Sequence, residues 1–115
     1  PIPVYGDGST RRDYTFVGDI VKGLMAAMDY TSTNYEVINM GNNRTVSLNE
    51  MIETIEEVLG MKAKRETKPL QAGDVPQTWA SVEKSQACLG FSPSMPFKDG
   101  VKAFVEWYGK DRGTK

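Results

Sequence analysis

The 115-residue chain is the length of one domain, and its 39% hydrophobic and 25% charged content is that of an ordinary globular protein. Fourteen basic against fifteen acidic residues leave a formal charge of −1, which excludes the broad positive field that a nucleic acid backbone or an anionic membrane needs. With no histidine and a lone Cys88, the chain cannot alone build a Ser-His-Asp or Cys-His site, a histidine metal site or an internal disulfide, and it has no membrane-spanning apolar run; a cytoplasmic location is expected.

Near the start, Asp7-Gly8 stands between short apolar runs, a hairpin signal because Gly accepts the positive φ of a tight turn. Arg12 then lies on the expected returning strand. Extended backbone puts Arg12, Tyr14 and Phe16 on one face and Arg11, Asp13 and Thr15 on the other, so flanking aromatics would anchor Arg12. A guanidinium so held suits a phosphate. The plainer alternative is a surface pair with Asp13 or Asp19, worth at most about 1 kcal/mol.

Val17, Ile20, Val21, Leu24, Met25 and Met28 recur at the spacing of one buried helical stripe, with Met25 and Met28 as core filler. A polar connection over residues 31–34 leads to YEVINM at 35–40, whose β-branched centre predicts a strand buried on both faces and ended by Gly41. Ser47 and Glu50 then form a capping box. Leu48, Met51, Ile52, Ile55, Val58 and Leu59 follow as one helical stripe before Gly60. Glu53, Glu56 and Glu57 fall opposite that stripe and read as a solvated face.

Residues 61–68 alternate charged and small side chains, the pattern of a half-exposed strand, and 69–76 form a loop containing QAGD from Gln71 to Asp74. A brief extended piece at 78–80 precedes Ser81, which is placed to cap a short helix running through Leu89 to a stop at Gly90. Phe97, Val101, Phe104, Val105 and Tyr108 mark a closing amphipathic helix. Trp79, Phe91, Phe104, Trp107 and Tyr108 read as packing groups. The whole is a mixed α/β arrangement of about four helices with short strands, one unit over 1–109 and a polar tail over 110–115.

The order YGDGSTRRDYTFVGDIVKG, INMGN, SLNEMIETIEEVLG, LQAGDVPQTWA and LGFSPSMPFKDGVKAFVEWY resembles the carboxyl-terminal, substrate-binding portion of NAD-dependent nucleotide-sugar epimerases and dehydratases. These are extended short-chain dehydrogenase/reductase enzymes. RDYTFV together with QAGDV looks most like UDP-glucuronate 4-epimerases and their relatives. The resemblance implies that Arg12 binds the pyrophosphate of a UDP-sugar and that Val4 and Tyr5 line the uracil site. It implies further that Asp74 accepts from ribose hydroxyls and that Gln71 lies near the phosphates or ribose. Both roles suit the side chains, since Arg offers a fork to phosphate and a carboxylate accepts from vicinal hydroxyls. Relatives commonly carry Asp where this chain has Gly18 and again where it has Ser81.

Enzymes of this kind hold NAD with a GxxGxxG turn and act through Tyr-x-x-x-Lys. Neither is present. The eleven glycines never take that spacing, and four residues after the five tyrosines stand Ser9, Gly18, Asn34, Asn39 and Arg112. The chain also starts at Pro1, inside what resembles the substrate-binding half. The expectation is a fragment, inactive alone, lacking its Rossmann domain and binding no NAD itself. Its YEVINM strand and helix faces would be left bare and prone to self-association. The alternatives are a dehydratase or decarboxylase of the same family, or a free-standing, non-catalytic nucleotide-binding or assembly module.

Overall fold

A computed structural model describes residues 1–111. In chain order the elements are β1 (Ile2–Tyr5), β2 (Arg11–Arg12), α1 (Val17–Met28), β3 (Val46–Ser47), α2 (Leu48–Leu59), β4 (Arg65–Lys68), β5 (Gln77–Thr78), α3 (Glu83–Leu89) and α4 (Phe97–Asp111). The chain is thus mixed α/β with four helices among the described residues. No helix there is long and apolar enough to cross a membrane.

Helix α2 shows local chemistry setting an element directly. The Ser47 hydroxyl accepts from the Glu50 N–H at 3.1 Å, while the Glu50 carboxylate accepts from the Ser47 N–H at 2.7 Å. Two otherwise orphaned donors are satisfied, and Gly60 ends the helix in a left-handed conformation. Helix α1 has the expected bounds but begins after an extended Phe16 with no side-chain cap.

The strands belong to two small sheets. β1 pairs in parallel with β4, from Ile2 opposite Arg65 to Tyr5 opposite Lys68. β2 lies in the middle of the other sheet, antiparallel to β3 and parallel to β5. The expected hairpin is therefore corrected. The Asp7-Gly8 turn forms, with Gly8 at φ 80 and Asp7 Oδ1 accepting from the Ser9 N–H at 2.9 Å, but its two arms enter different sheets. Turn chemistry is local, whereas the choice of partner strand is not. The terminus of α2 fixes the turn instead, through the Asn49 N–H to the Gly8 carbonyl at 3.0 Å and the Asn49 amide to the Asp7 carbonyl at 3.0 Å.

Among the described residues the buried large apolar side chains are few: Val4, Ile52 and Phe91. The radius of gyration is 17.0 Å, against about 13 Å for a compact chain of this length, and the extents are 50 × 38 × 19 Å. Accessible surface is 8354 Å², against roughly 6,300 Å² for a compact monomer of this mass. Many large apolar side chains are exposed. Val17, Val21, Leu24, Met25 and Met28 of α1 are exposed, which corrects the expectation that this stripe, with its methionines, is core. The side of α1 that packs is the opposite one, through Gly23, where a Cβ would meet Met40 Sδ at 2.3 Å and the Phe91 ring at 2.9 Å. A second apolar surface, a groove of about 910 Å³, opens beside α2 and α4 among Tyr14, Phe16, Ile55, Phe97, Val101 and Phe104.

Three further expectations are corrected. Residues 35–40 form no strand, and Tyr35 and Val37 are exposed; a β-branched run becomes a strand only where a ladder partner lies beside it. Ser81 does not cap α3, whose N-cap is Val82; the fully buried Ser85 instead donates its hydroxyl to the Val82 carbonyl at 2.9 Å. Glu56 is not solvated: it is buried and accepts from Lys62 at 2.7 Å, Arg65 at 3.0 Å and the Ala63 N–H at 3.0 Å. Of the residues expected to form a polar tail, Lys110 and Asp111 belong to α4, and 112–115 lie outside the described residues.

Candidate functional site

Two adjacent arginines on β2 have different fates. Arg11 is tied inward: its Nε donates to the Thr45 hydroxyl at 2.9 Å, one terminal nitrogen donates to the Thr45 carbonyl at 2.8 Å, and the other meets Glu50 at 3.2 Å. Backbone and hydroxyl donors of Ser47, then Arg11, hold the Glu50 carboxyl below its ordinary range. Arg11 thus joins β2 to the cap of α2. Arg12 projects elsewhere and forms an ion pair with Asp74, while its other terminal nitrogen donates to the Arg11 carbonyl at 2.8 Å. Both partners keep 30% side-chain exposure, enough shelter to strengthen the pair and enough access for a ligand.

The aromatic flank expected around Arg12 does not form. Tyr14 packs on Phe97 with ring centroids 5.4 Å apart, and the Phe16 ring lies beside Gly18 and Gly100. Arg12 is oriented by Asp74 and by its own backbone. The plainer alternative, a pair with Asp13 or Asp19, is also set aside, because both carboxylates hold other groups.

Asp74 reaches Arg12 because two connections cross between the sheets side by side. Residues 6–10 lead from β1 to β2, and 69–76 lead from β4 to β5. The Gly6 N–H bonds the Lys68 carbonyl at 2.9 Å at one end, and the Arg11 N–H bonds the Pro76 carbonyl at 2.8 Å at the other. In the second connection the Asp74 N–H closes a turn on the Gln71 carbonyl at 3.2 Å. Gln71 is exposed on that turn. Tyr5, 39% exposed, stands at the end of β1 opposite Lys68, where both connections begin; Val4 beside it is buried in the sheet.

The arrangement offers a guanidinium with donors to spare beside a carboxylate whose second oxygen is unengaged among the described residues. Such a pair grips a ligand that is anionic at one part and rich in hydroxyls at the next. It has no nucleophile or acid-base dyad, and no group of three metal-ligating side chains occurs among the described residues.

Two carboxylates that the sequence offers only as surface partners of Arg12 are instead acceptors for other parts of the chain. Asp19, 2% exposed, accepts from the Met95 N–H at 2.9 Å, the Ser94 N–H at 3.0 Å and the Ser94 hydroxyl at 3.1 Å, with Lys22 at 3.4 Å. Burial pushes its carboxyl up, but these donors outweigh burial and the net displacement is downward. Asp13 accepts from four donors in three segments, as set out below. An Asp at the third position of a helix, or just after a short strand, gives no sequence signal that distinguishes such a hub from a surface charge.

Comparison with known proteins follows the same lines. A family model described as GDP-mannose 4,6 dehydratase matches residues 1–104. A UDP-glucuronate 4-epimerase of Thermodesulfobacterium geofontis is 37% identical over 108 residues, covering 93% of this chain and 33% of that protein. Among solved structures, UDP-glucuronic acid 4-epimerase from Bacillus cereus, in complex with UDP-glucuronic acid and NAD, aligns with a TM-score of 0.86 at 31% identity, over 96% of this chain and 35% of that one. The epimerase Mth375 of Methanothermobacter thermautotrophicus aligns with a TM-score of 0.91 at 32% identity, over 98% of this chain and 34% of that one. The chain spans about a third of the length of the relatives it matches.

Proposed function

The chain belongs to the GDP-mannose 4,6 dehydratase family, and from that membership we propose that it is the substrate-binding part of an NAD-dependent nucleotide-sugar epimerase, similar to UDP-glucuronate 4-epimerases, that holds the UDP portion of its substrate. The observation that carries this is the meeting of Arg12 and Asp74 across a sequence separation of 62 residues. Arg12 takes the diphosphate through charge-assisted hydrogen bonds, and Asp74 takes the ribose hydroxyls. Tyr5 and the backbone at Val4 face the base, with Gln71 between. These contacts are remote from the reacting sugar, so their work is to hold it in place while chemistry proceeds on groups this chain lacks.

This chain does not fit NAD: its glycines never take the spacing of the phosphate-binding turn, and α1 and α2 start from Phe16 and Ser47. We assign the cofactor, with the catalytic tyrosine and lysine, to a Rossmann domain encoded upstream. The bare apolar faces of α1 and of the α2–α4 groove support that assignment and count against a free-standing module. They also lead us to propose that the chain expressed alone, in the cytoplasm, associates with itself; sedimentation giving only monomer would count against this.

A 4,6-dehydratase has the family model's own description behind it. The relatives named above are epimerases, and the first reading follows them. The test is turnover of UDP-glucuronate by the complete gene product. Formation of the C4 epimer supports the proposal, a 4-keto-6-deoxy product moves it to the dehydratase, and a reading frame opening at Pro1 with no UDP-sugar binding rejects both.

A further inference from the structure

Asp13 sits directly after Arg12 and gathers three separated pieces of chain. Its Oδ1 accepts from the Asn42 N–H at 2.9 Å and the Thr15 hydroxyl at 3.3 Å, and its Oδ2 accepts from the Asn43 N–H at 3.0 Å and the Ala80 N–H at 3.2 Å. Both carboxylate oxygens are used, on two edges. The Ala80 bond matters most for the site. β5 is only Gln77 and Thr78, paired with β2 at Arg11 and Arg12, and so short a ladder fixes little by itself. Asp13 fastens the chain just beyond β5, while Asp74 lies just before it in the 69–76 connection. The backbone of Gly41 closes over the carboxylate: a Cβ there would meet Asp13 Oδ2 at 2.8 Å and Ala80 Cβ at 2.6 Å.

We propose that Asp13 is a positioning residue of the nucleotide site, a clamp that holds β5 against β2 and so sets where Asp74 stands relative to Arg12. This rests on the function proposed above, since it concerns how that same site is kept in register. Asp13 does not touch the ligand. Asn at this position retains one acceptor oxygen and turns an NH₂ toward one pair of donors, so one edge of the clamp opens while size and shape stay the same. The connection bearing Asp74 then loosens, and UDP binds more weakly although Arg12 and Asp74 are both intact.

The test is a double-mutant cycle on the complete gene product, with UDP dissociation constants from calorimetry and folding checked by thermal unfolding. Asp13→Asn is expected to weaken UDP binding about three- to fivefold in the otherwise unmodified protein, no more than Asp74→Ala does by itself, and to leave it nearly unchanged, within about 1.5-fold, when Asp74 is already Ala, because the clamp acts through Asp74. Gly41→Ala, which presses on the same carboxylate from the other side, is expected to repeat this pattern and serves if Asp13→Asn fails to fold. Equal losses with and without Asp74, or no loss, overturn the proposal while the binding function stands. Failure of the unmodified protein to bind UDP removes the function, and this proposal with it.

Discussion

Removing Arg12 separates the contribution of the guanidinium from that of the carboxylate beside it. A charge-assisted contact to phosphate is worth roughly 1.5–3 kcal/mol, which alone raises a dissociation constant about 10- to 150-fold. Arg12 is, however, already paired with Asp74, and both side chains keep 30% exposure. Such a pair is worth at most about 1 kcal/mol, and to the extent that diphosphate displaces it, the net gain is smaller. Arg12→Ala is therefore expected to weaken UDP binding toward the lower end of that range, about tenfold. Asp74→Ala behaves differently with two ligands. It removes the acceptor for ribose, weakening UDP several-fold, but it also frees the guanidinium, so inorganic pyrophosphate binds as well as before or more tightly. Isothermal titration of UDP and pyrophosphate into the complete gene product with each substitution measures all four constants. An unchanged UDP constant for Arg12→Ala refutes the assignment of phosphate to Arg12, and equal losses of UDP and pyrophosphate in Asp74→Ala refute the division of labour.

The remaining expectations concern the scaffold. Asp19→Ala leaves the N–H groups of Ser94 and Met95 without their acceptor, and at about 1–3 kcal/mol for each buried group the loss should show as a clear fall in melting temperature; an unchanged transition contradicts the role given to Asp19. Gly23→Ala puts a methyl against Met40 and the buried Phe91 ring and is expected to cost about 1–3 kcal/mol by denaturant titration, whereas a gain from the better helix former would show that α1 is not held at this approach. The Glu56 carboxyl is brought to about 2 by Lys62, the Ala63 N–H and Arg65, against an ordinary value of 4.5. Because the folded value is the depressed one, its contribution is complete above the unfolded value and disappears as pH falls through the folded one. Acid titration should thus show Glu56→Gln less stable than the unmodified chain near neutrality, with the difference closing between about 4.5 and about 2. A difference that stays constant with pH argues against the pairing of the buried Glu56 carboxylate with Lys62 and Arg65.

What the sequence disclosed was what neighbouring residues decide. Ser47, Glu50 and Gly60 define both ends of α2 within a few residues of chain, and the structure reproduces them. The spacing of α1 gave the helix but not the direction it faces, because periodicity is the same whether a stripe meets a core or lies open. Pairing partners were hidden for the same reason. β1 finds β4 from beyond two helices, and residues 35–40 find no strand beside them among the described residues. The candidate site came from the order of motifs and their resemblance to a family, since neither RDY nor QAGD points to a ligand alone. Buried Asp19 and Glu56 were missed because their donors, at 94–95 and 62–65, are fixed only by the fold.

The site itself is best examined with its ligand in place, in a crystal structure of the complete gene product grown with UDP. The expected result has the diphosphate against the Arg12 guanidinium, the ribose hydroxyls on the Asp74 carboxylate and the base beside Tyr5. UDP bound away from β2, with the Arg12–Asp74 pair unchanged and solvent around it, would contradict the assignment of this site.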